Sequence, residues 1–416
     1  MIPDRLYDLA FQYRKTKLWK KLWDSHLFAA RFSDGGIGYC CVMGMNGDLN
    51  AIAVYPGQQG LDSLRMLYAK SSAEDKMAQL EEMRSQDCMM LSFVSKSELH
   101  SRDLEELKPY CEKNGVNPRG KNAWPQFERF RPGYERWYLE DETDQRRMAE
   151  ALEIAIGVAG RLIHERNTPE QLGLYEGEPF DKEIPLYTLT EGGLQSEAHP
   201  LPPVAPVAWP PVVIDDDLSR AKLGKAPRKG EWAARLFRYF TPVSKEYDGE
   251  DQIAFDDLTE APFYPWALLL IDARSGIVLS ACMSDSPEDY SPDFAASIVE
   301  TVTKCGLPHK IAVTDDRTAQ ALSRFCDDFG VVLQRKKRCK LLQEALDSLL
   351  EHALSDADIS DDEIDMMFDV LGNADLVRTM PDEMFVELLR EVDFAGFPEN
   401  VKKVIYNEAV RRKMLK

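Results

Sequence analysis

The sequence predicts a multidomain α+β / α/β protein: an α+β N-terminal domain, a mixed-sheet second domain and a small helical C-terminal tail. Three observations carry that expectation. Strand-like and helix-like hydrophobic periods alternate through residues 36–165. A proline-rich stretch between Arg166 and Gly230 then breaks the pattern. A second alternation, in the order β-β-α-β-α-β, runs from Gln252 to Gln334, after which apolar residues recur only at helical spacing. The expected divisions are 1–166, a connector at 167–230, 231–340 and 341–416.

Within the first region, Leu6, Leu9, Tyr13, Leu18, Leu22 and Trp23 fall near one face of an amphipathic helix or two over residues 1–30. Gly36–Gly44 and Leu49–Tyr55 read as strands, joined through Asn46-Gly47, a turn dipeptide in which both positions favour positive φ. Helical patterns follow at 60–68 and 72–84, then a strand at 88–94, a helix at 103–114 and a long helix at 144–165. The connector carries Pro179, Pro185 and the run Pro200 to Pro211, with short strands expected at Ile184–Leu189 and Val212–Ile214.

The second region opens more sharply. Ala267–Asp272 and Gly276–Cys282 flank Ala273-Arg-Ser-Gly276 as a hairpin. A helix is expected at Asp293–Thr303, then a buried strand, Lys310–Thr314, ending in Asp315-Asp316, another helix, and a strand at Gly330–Gln334. Beyond Lys340 the spacing of Leu341 to Leu354 is helical. Ser360 with Glu363 forms a capping-box pattern, and Pro381 and Pro398 suit first-turn positions.

Bulk properties narrow the function. The chain has 416 residues, 44% of them hydrophobic, enough for two or three cored domains. No apolar run approaches the roughly 20 residues that span a bilayer, and the opening Met1-Ile-Pro-Asp-Arg-Leu lacks a signal-peptide pattern. Eight cysteines are scattered without a CxxC pair, which fits a reducing, cytoplasmic setting. A formal charge of −20 makes the chain a poor general binder of phosphate backbones. Its positive charge is locally clustered, however, at Arg220–Lys245, which includes Arg228 and Lys229, and at Arg335, Lys336, Lys337, Arg338 and Lys340. The first reading is a solvated linker for the one and a loop for the other; the second is a nucleic-acid groove.

Other motifs reduce to structure. Gly35-Gly-Ile-Gly38 and Gly57-Gln-Gln-Gly60 lack phosphate-loop spacing and read as turns. His164-Glu165 has no second histidine. Asp356-Ala-Asp358-Ile-Ser360 fails as a calcium loop, because Asp361 stands where glycine is required. The stretch Trp124–Tyr138 interleaves aromatics and arginines and reads as an edge strand plugging a core, with base stacking as the alternative.

The β-β-α-β-α-β order of residues 252–349 resembles a ribonuclease-H-like core, the fold of integrases and transposases. That family holds two metal ions with three carboxylates: one on the first strand, one after the fourth and one on a later helix. Carried over, Asp256 resembles the first ligand, Asp315 the second and Glu344 the third, with Asp272 and Asp316 as alternates. The first strand is then expected at Gln252–Asp257. Where the family continues Asp-Asn-Gly, this chain has Asp315-Asp316-Arg317. The expectation is a non-catalytic binding or interaction protein on this scaffold, with no cofactor. The alternative is a phosphodiesterase using Asp256, Asp315 and Glu344 with Mg2+ or Mn2+, its metal on Asp256 and Asp315 and nucleic acid on Arg228, Lys229 and Arg335 to Arg338. A protein partner is expected at the acidic helical C-terminal region, and no membrane.

Several phrases resemble a bacterial family of paired domains of unknown function. They are Leu6-Tyr-Asp-Leu-Ala10, Val42-Met-Gly44 with Asn46-Gly47, Tyr55-Pro-Gly57, Pro132-Gly-Tyr134, and Phe263-Tyr-Pro-Trp266 before the 271–276 hairpin. The resemblance covers roughly residues 1–340. It implies a cytoplasmic bacterial protein of two α+β domains plus a tail, and no particular activity.

Overall fold

In the computed structural model the chain forms two compact units, Met1–Asp347 and Ser348–Lys416. The structure describes residues 1–47, 49–68, 80–81, 83–175, 180, 183–246, 257–356, 405, 409 and 411–412. Residues 72–79 and 82 of the helix expected at 72–84, Asp256, the Ser360–Glu363 cap and the prolines at 381 and 398 lie outside the described residues. The first unit contains two mixed sheets with helices packed on them.

Helix α1 (Asp4–Thr16) is followed by β1 (Phe28–Arg31), β2 (Ile37–Met43), β3 (Asn50–Pro56) and α2 (Gly57–Tyr68). Then come β4 (Cys88–Val94), α3 (Ser101–Asn114), β5 (Trp124–Phe130), β6 (Trp137–Tyr138) and α4 (Glu142–Ile163). Strands β7 (Ile184–Thr190) and β8 (Gly193–His199) complete a sheet in the order β6-β5-β4-β3-β2-β1-β7-β8. Every neighbouring pair is antiparallel except β1–β7. Both faces are covered, so the central strands read as continuous apolar runs. In β3, Ile52 and Val54 join a core with Leu6 of α1, Leu107 of α3 and Leu152 of α4. Ala53 and Tyr55 face the other way, toward Leu61 and Leu64 of α2.

Two expectations change here. Only Gly47 of the Asn46-Gly47 pair has positive φ, 91°, and Met43 pairs with Ala51, so the connection is a wider loop than a two-residue turn. Gly44 lies in that loop at φ 131°, where an added Cβ would meet the Leu49 carbonyl at 2.4 Å. The connector, too, is less of a spacer than its prolines suggest. Its strands β7 and β8 extend the first sheet, and the prolines beyond them lie against both halves. Arg65 donates to the Pro202 carbonyl at 2.6 Å, while the Tyr290 hydroxyl donates to the Pro210 carbonyl at 2.6 Å. Val212–Ile214 is not a strand. Val212 N donates at 2.8 Å to the carbonyl of Ala321, a helical residue, so this segment runs along a helix rather than a sheet edge.

Helix α5 (Asp217–Lys225) leads into the second sheet. Its strands are β9 (Glu231–Arg238), β10 (Trp266–Asp272), β11 (Val278–Met283), β12 (Lys310–Val313) and β13 (Val332–Arg335), in the order β11-β10-β9-β12-β13. The pairs β9–β10 and β10–β11 are antiparallel; β12 is parallel to both β9 and β13. Helix α6 (Ser291–Cys305) connects β11 to β12, α7 (Asp316–Phe329) connects β12 to β13, and α8 (Lys340–Asp356) follows. Trp232, Ala234 and Leu236 of β9 share a core with Phe294 and Ile298 of α6 and Leu322 and Phe325 of α7.

The strand between β10 and β12 is therefore Glu231–Arg238, and residues 252–256 of the first strand expected at 252–257 lie outside the described residues. The two arginines of Glu-Trp-Ala-Ala-Arg-Leu-Phe-Arg gave the segment the look of a basic linker, although its alternation is that of a buried strand. The β10–β11 hairpin stands as expected. Asp272 organises it by accepting from Arg274 N at 3.1 Å, Ser275 N at 2.8 Å and Ser275 Oγ at 2.8 Å. Those bonds, Ser275's foremost, hold its carboxyl below the ordinary range. Among the described residues no helix is long and apolar enough to cross a membrane.

Candidate functional site

Parallel β9 and β12 bring two sequence-distant segments to one end of the second sheet. Ala234 is in register with Val313, so the residues that follow, Arg235 and Thr314, stand side by side. Arg235 donates to Thr314 Oγ1 at 3.1 Å and lies 3.4 Å from the Asp315 carboxylate. Asp315 is also the N-cap of α7. It accepts from Thr318 N and from Thr318 Oγ1, each at 2.7 Å. Thr318, fully buried, accepts in turn from Leu236 N of β9 at 2.9 Å. Asp315 is thus tied on one side to a helix start and on the other to an arginine.

The remaining sequence candidates among the described residues do not form a metal-holding cluster with it. Asp256 is outside the described residues. Glu344 lies on α8, more than half exposed, 3.2 Å from Lys340 one turn earlier. Asp316 is exposed and pairs with Arg335 at 2.8 Å, and Asp272 holds its hairpin. Among the described residues, no group of three or more His, Cys, Asp or Glu side chains is arranged to hold a metal ion. The basic candidates also divide. Arg228 caps the end of α7 by donating to the carbonyls of Phe329 at 2.7 Å and Gly330 at 2.9 Å. Lys229, Lys337 and Arg338 are exposed, and Lys336 is half-buried.

A second constellation, which sequence reasoning missed, lies where the two sheets' segments meet. Arg238, at the end of β9, places its guanidinium 3.8 Å from the Trp266 ring centre and donates to the Tyr264 carbonyl at 2.8 Å. Arg317, in the first turn of α7, stacks 4.7 Å over Trp209 and 5.2 Å over Trp266. Glu81 closes the group from the first half, 2.9 Å from Arg317 and accepting from Arg238 N at 3.2 Å. Arg84 donates to the Phe240 carbonyl at 2.6 Å and stacks 4.2 Å over Tyr264. Gly133, at φ 80°, approaches closely here: a Cβ on it would lie 2.5 Å from the Arg238 guanidinium.

Signals for this joint were present. Pro132-Gly-Tyr134 and Phe263-Tyr-Pro-Trp266, two of the phrases singled out in the sequence, are partners. Tyr134 bridges to Phe263, Tyr264 N donates to the Gly133 carbonyl at 2.8 Å, and Glu135 N donates to the Pro262 carbonyl at 2.8 Å. The Tyr264 hydroxyl donates to Glu135, and the Tyr134 hydroxyl to Glu288. Beside the joint opens a cleft of ≈ 270 Å3, lined in part by Arg131, Tyr134, Glu135 and Trp137. The stretch Trp124–Tyr138 thus supplies β5, β6 and one wall of this cleft. Strand β5 is internal to the sheet, and only the short β6 lies at its edge.

Residues 4–173 match the model of a domain of unknown function (DUF7309), and residues 218–350 match that of a second domain of unknown function (DUF6930). The chain belongs to a family that pairs these two domains. No curated protein and no solved structure matches it. The first of the paired domains supplies Glu81, Arg84, Gly133 and Tyr134 to the joint; the second supplies Arg238, Trp266 and Arg317. Trp209 comes from the proline-rich segment between the two matched regions.

Proposed function

We propose that the protein is a non-catalytic binding or interaction protein whose second domain is a ribonuclease-H-like scaffold. Support for the scaffold is the strand order β11-β10-β9-β12-β13, with β9 central, antiparallel to β10 and parallel to β12. In chain order that is three antiparallel strands followed by two parallel ones on the far side of the first. The observation that carries the non-catalytic reading is Arg235. Metal-dependent phosphodiester cleavage on such a scaffold needs carboxylates from the first and fourth strands to share cations. Here the side chain that reaches Asp315 from the central strand is a guanidinium, 3.4 Å away. A divalent ion at Asp315 would sit beside that positive charge and would compete with the helix cap for both carboxylate oxygens.

Thermal unfolding with manganese, on wild type and on Asp315→Asn, tests the reading. The expected result is the same small manganese shift in both proteins and no cleavage of single- or double-stranded DNA or RNA by either. A manganese stabilisation present in wild type and lost in Asp315→Asn would restore the phosphodiesterase reading, with Asp256 and Glu344 as the further ligands.

A further inference from the structure

We propose that Arg238 and Arg317, set on the indoles of Trp266 and Trp209, form a binding site for an oxyanion: the phosphate or carboxylate group of a small ligand. The argument begins with charge. Burying a guanidinium is costly unless a carboxylate lies against it. Arg238 is mostly buried at the joint, yet among the described residues no carboxylate comes within ion-pair distance of its guanidinium. Glu81, the nearest acid to the pair, reaches Arg317 and the backbone N–H of Arg238, not the Arg238 fork. Burial and the neighbouring Arg317 charge push Arg238 down to about 10. Among the described residues Glu81 and, at longer range, Glu288 offset this charge, but only Glu81 comes within ion-pair distance, and only of Arg317, whose Nε is itself buried without a hydrogen-bond partner.

Geometry points the same way. The Arg238 fork is held flat, by Trp266 at 3.8 Å and by the close approach of Gly133. One of its nitrogens is committed to the Tyr264 carbonyl. A planar, immobilised fork is the group that recognises phosphate and carboxylate oxygens with little further loss of side-chain entropy. The ≈ 270 Å3 cleft shares Tyr134 and Glu135 with the joint and sets the cations Arg129 and Arg131 against the acids Glu135, Glu140 and Glu260. This inference uses none of the side chains around Asp315, so it stands or falls separately from the non-catalytic reading.

The test titrates the full-length protein with inorganic phosphate against sodium chloride at matched ionic strength, reading Tm and tryptophan emission. Wild type is expected to gain Tm in phosphate and to show a saturable emission change, since Trp266 and Trp209 form the floor of the site. Arg238→Met is expected to have a higher Tm than wild type in chloride, because an uncompensated buried charge is gone, and to lose the phosphate response. Glu81→Gln, which removes the competing carboxylate, is expected to respond at several-fold lower phosphate. Identical Tm and emission of wild type in phosphate and chloride would overturn the proposal, as would an undiminished phosphate response in Arg238→Met. Should Arg238→Met fail to fold, wild type and Glu81→Gln decide: a saturable emission change that moves to lower phosphate supports the site, and a flat or unmoved titration refutes it. Parallel titration with acetate separates the two ligand chemistries, phosphate from carboxylate.

Discussion

Two arginines, one near the end of an internal strand in each sheet, are buried to a similar degree and provided for in opposite ways. Arg129 on β5 lies 2.7 Å from Asp87 and 2.8 Å from Asp144, with all three side chains nearly enclosed. Burial works to lower its pKa, but the two carboxylates outweigh burial and leave it raised. Arg238 on β9 has stacking partners and a carbonyl but no described carboxylate on its fork, and its pKa falls. The difference teaches what each arginine is for. An arginine compensated twice over acts as a rivet, tying β5 to the start of α4 and to the residue before β4. An arginine left under-compensated, beside a cleft and between two domains, has the character of a receptor.

The sharpest way to break that comparison is to delete both charges. Arg129→Met leaves Asp87 and Asp144 buried without their cation, and the expected loss is about 3–5 kcal/mol. Urea unfolding followed by far-ultraviolet circular dichroism reads it. Arg238→Met is expected to shift stability in the opposite direction; losses of similar size at both positions would mean that both arginines are rivets.

A smaller effect comes from a carboxyl whose shift is set chiefly by burial. Asp103 of α3 is raised from 3.8 to about 7, first by burial, with the Gln126 amide only 3.5 Å away and Glu128 adding repulsion. Its folded pKa exceeds its unfolded one, so the folded state binds the proton more tightly. The stability this confers is complete below about pH 4 and is lost as pH rises toward 7. Asp103→Asn is therefore expected to be more stable than wild type at pH 8, by about 2 kcal/mol, and to converge with it at pH 4. A difference that is constant with pH would refute the assignment. Smaller again is Gly133→Ala. At φ 80° and with 2.5 Å of clearance, the methyl group must displace the Arg238 guanidinium, for an expected loss of about 1–2 kcal/mol and a weakened phosphate response.

Much of the fold was legible because both sheets are covered on two faces. Cys88–Val94 and the 267–282 hairpin announced themselves as uninterrupted apolar runs bounded by turn residues. What escaped was whatever carries charge inside a strand. Glu231–Arg238 was read as linker because its arginines mask the alternation of Trp232, Ala234 and Leu236. Strand β8 was missed because, as an exposed edge, Gly193–His199 has little hydrophobic pattern to detect. The Asp315 neighbourhood was half legible. Its place after a buried strand followed from the sequence, but its partner did not, because register across β9 and β12 is decided only by packing. The joint was the least legible: its residues come from positions 81 to 317, and nothing local marks Glu81, Gly133 and Arg317 as neighbours.

The smallest prediction returns to the charge that the comparison leaves in between. Asp315 has one arginine and one helix start, so its two roles are separable. Asp315→Asn keeps an oxygen for the Thr318 N–H and removes only the attraction to Arg235, whereas Asp315→Ala removes both. The cap is expected to account for about 1 kcal/mol, and the partly exposed pair for less than that. Asp315→Asn should then lie close to wild type in urea unfolding, with Asp315→Ala below it by about that cap term. If Asn were as damaging as Ala, the carboxylate charge itself would be required at the end of β12. Arg235 would then be the cation that a partly buried acid needs rather than the replacement for a metal.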